Sequence, residues 1–178
     1  MAAQSAFPMC GICDKPVSLE TRKADEKGVA VHEACYVLTI IRAGETCGLP
    51  NSATFLQHLT DARSLYAGGK YHSSLNESRK LIETLIDGIS TETNLHGNHS
   101  TKLASGAINQ IEYLKNVNFS TFSEQSEFLS VWCSLCGSHH GVSEREQARL
   151  GLALALEFGQ LLLLKFSDWK ANGYRGFN

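Results

Sequence analysis

The chain has 178 residues, a formal net charge of −2, 43% hydrophobic and 19% charged residues. These are globular values, enough for one medium domain with a sizeable core plus a small appended module. The near-neutral charge argues against a nucleic-acid surface, and the N-terminus lacks the basic and apolar regions of a signal peptide, so a cytoplasmic chain with reduced thiols is expected.

The first informative pattern is Cys10-x-x-Cys13 followed, eighteen residues later, by His32-x-x-Cys35. Four soft ligands in two closely spaced pairs are what a tetrahedral Zn²⁺ requires. The backbone amides of Gly11 and Ile12 are expected to point at the sulfurs. Between the pairs, Val17 and Leu19 alternate with polar neighbours, Asp25-Glu26-Lys27-Gly28 forms a turn, and Val29-Ala30-Val31 returns toward the metal. From Glu33 to Arg42 the spacing becomes helical, placing His32 and Cys35 on the first turn of a short helix. A disulfide pair is the rival reading, and reduced thiols favour metal. Four protein ligands leave no vacancy for water, so one structural zinc is expected rather than a catalytic one. Lys15, Arg22, Lys23, Lys27 and Arg42 balance Asp14, Glu20, Asp25, Glu26 and Glu33 in this segment. A protein partner is therefore favoured over nucleic acid. Knuckle, hairpin and helix together resemble a treble clef, and the ligand order resembles the first half of a LIM domain. They are also similar to small bacterial zinc modules.

The module is assigned to residues 1–43. Gly44, Gly48 and Pro50 then predict a linker over 44–52. Beyond it every pattern is helical. One amphipathic helix runs from Phe55 to Gly68-Gly69, and a second from Tyr71 to Ile86 is closed by Gly88. A polar loop is expected at 94–101, a third helix over Leu103–Leu114 and a fourth from Phe122 to about Leu135. Ser143-Glu144-Arg145-Glu146 reads as a capping box that opens a last helix reaching Phe166. Its run from Leu150 to Leu164 is nearly apolar. Glu157 and Gln160 interrupt it, and it is shorter than the roughly 20 residues of a span, so a buried central helix is expected and no membrane contact. The fold class is mainly α, an up-and-down bundle over 53–170 with a small N-terminal α+β module and a flexible tail over 171–178, frayed from Trp169 onward.

The stretch Ala62–Ile86 resembles the opening helix pair of HEPN-type and abortive-infection C-terminal bundles. Gly137-Ser138-His139-His140-Gly141, followed by Ser143–Glu146 and Ala148–Leu154, is similar to their loop and final helix. This likeness implies a bacterial protein of antiphage defence or stress response, and a homodimer through the bundle. HEPN ribonucleases use Arg-x4-6-His, and here no arginine lies between Phe119 and His140. A nuclease or toxin would have to use His139 and His140 with Arg145 and Arg149, which stand four apart on one helical face. Pairing of those arginines with Glu144 or Glu146 is the plainer expectation. Cys133, Cys136, His139 and His140 form a rival second metal site or redox pair, disfavoured because both cysteines fall inside a predicted helix. Arg63, Arg79 and Lys80 are candidates for a nucleotide in the bundle, while Asn94, His96 and His99 read as a solvated loop. Tyr71, Phe128, Trp132 and Phe158 recur at helical spacing and read as core. The sequence leaves the role of Cys47 open. The expected function is thus a zinc-binding, non-catalytic interaction or accessory protein.

Overall fold

A computed structural model describes residues 7–18, 22–25, 27–96, 105–137 and 141–174. The chain divides into two compact units, Met1–Arg42 and Ala43–Asn178.

In the first unit, strands β1 (Arg22–Ala24) and β2 (Ala30–His32) pair antiparallel, with Lys23 opposite Val31. The turn between them is built by one side chain. Asp25 Oδ1 accepts from the amides of Lys27 (3.0 Å) and Val29 (2.7 Å), and Gly28 takes φ +75°, a conformation that glycine adopts without strain. Helix α1 (Glu33–Thr46) follows β2 directly, and the division between the units falls within it, after Arg42. Cys10, Val17, Val31, Tyr36, Val37 and Ile40 are the buried apolar residues among those described in this unit.

The stretch 44–52, expected to be a linker, belongs to the second unit, and α1 continues through Gly44 to Thr46. Glycine is tolerated there because a Cβ would run into the Phe55 ring, so close packing decides the position where local propensity alone would end the helix. Helices α2 (Ser52–Ala67), α3 (Tyr71–His96), α4 (Ala107–Asn116), α5 (Phe122–Cys136) and α6 (Glu144–Ala171) complete a helical bundle. Central α3 touches each of the other four, most extensively α2 and α6. It does not end at Gly88 but runs to His96, because Gly88 gives the Asn51 side chain room against the helix, where Asn51 Nδ2 donates to Thr84 O (2.6 Å). Ser74, Ser78, Ser90 and Thr93 lie on its buried face. Ser74 and Ser78 return their hydroxyls to the carbonyls of Ala62 and Ser74, so small polar residues let α3 pack closely without stranding those groups.

Asn94–His96, expected in a loop, are the last residues of α3, while 97–104 lie outside the described residues and α4 begins at Ala107 rather than Leu103. Helix α6 runs five residues past Phe166 to Ala171, and Trp169 is buried against Phe119, Phe166 and Tyr174. Tyr174 also stacks on His96 at 4.3 Å between ring centroids, so the chain is packed well beyond Trp169, where fraying was expected; 175–178 lie outside the described residues. Among the described helices α6 alone is long and apolar enough to cross a bilayer, and 56% of its apolar stretch is buried inside the molecule. The Ser143 hydroxyl caps α6 by accepting from Glu146 N (3.3 Å), but the Glu146 carboxylate turns to Arg149, leaving half of the expected box. A complete box stands instead at Thr121 and Glu124, which opens α5. Glu124 also accepts from Lys165 on α6 at 2.7 Å and so ties the two helices together.

Candidate metal centre

Backbone hydrogen bonds shape the knuckle that carries Cys10 and Cys13. Cys10 N donates to Lys15 O (2.8 Å), Asp14 N to Cys10 O (3.0 Å), and Asp14 takes φ +53° to close the turn. Gly11 N is committed to Ala30 O (3.0 Å), which binds the knuckle to β2. That amide is therefore not available to a sulfur, contrary to the sequence expectation; the Cys10 thiolate is held by the amides of Ile12, Cys13 and His32.

His32 ends β2 and Cys35 sits in the first turn of α1, so the change from strand to helix presents the second ligand pair. Together with Cys10 and Cys13 they place four potential ligand atoms all within 4.8 Å of one another. His32 Nδ1 lies 3.4 Å from Cys13 Sγ and 3.9 Å from Cys35 Sγ. A tetrahedral ion with Zn–S of about 2.3 Å and Zn–N of about 2.0 Å has N···S edges of roughly 3.6 Å, so the donors already stand near coordination geometry. The ring orientation is also set. His32 Nε2 is 3.0 Å from Pro16 O, which can only accept, so Nε2 carries the proton and Nδ1 keeps its lone pair toward the sulfurs. A backbone carbonyl fixing the tautomer of a ligating histidine is a common outer-sphere arrangement, and the residue types gave no signal for it.

The thiols are electrostatically unlike. Burial raises Cys10, but the amide cradle outweighs it and brings the group down to about 6. Cys35 is pushed up to about 11, first by burial and then by hydrogen bonds and negative charge from Cys13 and Cys10. Three thiols crowded around one point repel as thiolates, and a divalent cation at that point relieves the repulsion. No disulfide joins any of the six cysteines. The Cys10, Cys13, His32 and Cys35 cluster is thus able to hold one metal ion, and among the described residues no other group of this kind occurs.

The remaining candidates fall elsewhere. His139, His140 and His99 lie outside the described residues. Cys133 and Cys136 are on the exposed side of α5 near its end, with the Cys136 thiol raised by partial desolvation. Arg149 is engaged by Glu146 through two bonds, of 3.0 and 2.6 Å, and Arg145 meets the Tyr66 hydroxyl. Arg79 donates to Leu135 O and Cys136 O and so covers the C-terminal carbonyls of α5, while Lys80 pairs with Glu77 at 2.8 Å. Two of the three residues suggested for nucleotide binding therefore have structural partners. Glu77 also meets His58 at 2.7 Å, and its carboxyl is lowered chiefly by Lys80. Cys47 is buried in the second unit, where its Sγ donates to Gly44 O (3.1 Å) and burial raises its pKa. Compared with known proteins, the chain matches no family model, no curated protein and no solved structure.

Proposed function

We propose that this is a zinc-binding, non-catalytic interaction protein whose N-terminal unit is a treble-clef, LIM-like zinc module and whose helical bundle is HEPN-like. The observation that carries the zinc reading is the convergence of three cysteine sulfurs and a histidine with its lone pair turned toward them. Four protein donors fill a tetrahedron, so the ion's work is to organise the unit rather than to activate water. Phe7, Met9, Ile12, Val29 and Leu38 are each at least 41% exposed within a unit of 42 residues, which supports a protein as its partner. The near-neutral charge of the segment points the same way. The HEPN-like bundle, its pairing into a homodimer, the cytoplasmic setting and a bacterial role in antiphage defence or stress response rest on the sequence likeness.

The test pairs metal content with activity. Plasma emission on purified protein is expected to give one zinc per chain, retained in Cys133→Ser, Cys136→Ser and lost in Cys10→Ser, Cys13→Ser. The same preparations are expected to leave RNA uncut. RNA cleavage abolished by His140→Ala would overturn the non-catalytic reading, and a zinc content that follows Cys133 and Cys136 would overturn the site.

A further inference from the structure

Outside the metal centre, two further thiols share one helical turn. Cys133 and Cys136 stand three residues apart in the last turn of α5, and both are exposed and reduced. Trp132 and Leu135, one residue before each, are buried, so the core holds the turn and leaves the thiols on its outer side. The backbone of the turn is fastened as well. Gly137 N donates to Cys133 O (2.8 Å), and Arg79 on α3 donates to the carbonyls of Leu135 and Cys136. Partial burial raises the Cys136 thiol, the Arg79 guanidinium opposes that rise, and the charges of Glu83 and Cys133 add to it. Cys133 and Arg79 are thus both within electrostatic reach of Cys136.

Spacing decides what such a pair can do. Side chains three apart on a helix have Cβ atoms about 5–6 Å from each other, whereas a disulfide needs about 3.5–4.5 Å. Closing that bond would distort a turn that the Gly137 amide and the Arg79 guanidinium hold in place. With metal–sulfur bonds of about 2.3 Å, two sulfurs on opposite sides of one ion stand roughly 4.6 Å apart. The helical pair reaches that span by side-chain rotation alone. Zn²⁺ is a poor occupant, because it takes four donors and no third His, Cys, Asp or Glu among the described residues completes a group with this pair. Cu⁺ is selected by soft thiolates and is satisfied by two of them in a line. Two thiolates and one Cu⁺ carry a single net negative charge. That charge lies beside Arg79, whose effect on Cys136 exceeds that of Glu83.

We propose that Cys133 and Cys136 form a surface site for a soft monovalent cation, Cu⁺, held between the two sulfurs. Binding releases both thiol protons to solvent and changes no oxidation state. The site is independent of the four-donor centre.

The test is an anaerobic titration of the zinc-loaded full chain with Cu⁺ buffered by bicinchoninate, a zinc indicator being present. The native chain is expected to take one Cu⁺ from the chelator before any zinc appears, and Cys133→Ser, Cys136→Ser is expected to take none before zinc is released. Copper-edge absorption of the one-equivalent sample is expected to show two sulfurs and no further donor. Should the double variant fail to fold, Cys133→Ser alone is expected to lose the uptake, since one thiolate does not hold the ion against the chelator. No uptake by the native chain, zinc released by the first equivalent, uptake unchanged in the variants, or a shell of three or four donors would overturn the proposal. So would a Cys133–Cys136 disulfide formed by the zinc-loaded chain in oxidised glutathione, because the turn would then permit the closer approach.

Discussion

The two units solve the same problem of chain entropy by different means. The second unit orders its backbone by burial, with α3 and α6 contributing Leu81, Ile82, Leu85, Ile86, Leu162, Leu163 and Phe166 to one core. The first has two strands of three residues, part of one helix and a few buried apolar side chains. A unit of about forty residues cannot offset its ordering cost from that little burial, which is the physical place for a metal.

The sharpest way to break this comparison is to remove the ion. Chelation, or Cys10→Ser with Cys13→Ser, is expected to unfold the first unit, since structural zinc supplies on the order of 10 kcal/mol to small modules. The amide resonances of residues 7–40 are expected to collapse while those of α3 and α6 persist; collapse of both sets would contradict the separation. The converse experiment is Phe166→Ala, which should cost the bundle about 3–5 kcal/mol in denaturant unfolding and leave zinc content unchanged.

The thiols give the comparison a pH axis. Free cysteine titrates near about 8.5, and Cys10 in the folded unit is lowered to about 6. Its contribution to the metal-free unit is therefore in place above about 8.5 and is lost as pH falls through about 6. Cys35, raised to about 11, works in the other direction: its contribution is present below about 8.5 and is lost as pH rises through about 11. At neutral pH a metal ion entering the cluster would have to displace the Cys35 proton. Titrations in buffers of different ionisation heat are expected to show proton release and an affinity that falls with pH, and buffer-independent heats would contradict it. The smallest effect concerns the bundle alone. Thr121→Ala removes the hydroxyl that caps α5 and should cost about 1 kcal/mol in thermal unfolding, with no change in the metal centre.

How far each unit was legible in the sequence follows the same division. Cys10, Cys13, His32 and Cys35 could be named because ligand chemistry depends on residue type and spacing, both of which are local. The helical class of the second unit was legible from periodicity. Its helix ends were not, because Gly44 and Gly88 are tolerated through contacts with Phe55 and Asn51 that sequence distance hides. Trp169 lies beyond the last strong apolar repeat and is held by Phe119, fifty residues earlier. Thr121–Glu124 and Ser143–Glu146 have the same box residue types, and only the first forms a complete box, because at the second an arginine one turn further on competes for the glutamate. The carbonyl of Pro16 that orients His32 carries no residue-type signal at all.

The most direct test of the account is X-ray absorption at the zinc edge of the purified full chain. Three sulfurs at about 2.3 Å and one nitrogen at about 2.0 Å are predicted. A shell of nitrogen and oxygen alone, or protein that carries no zinc, would contradict it.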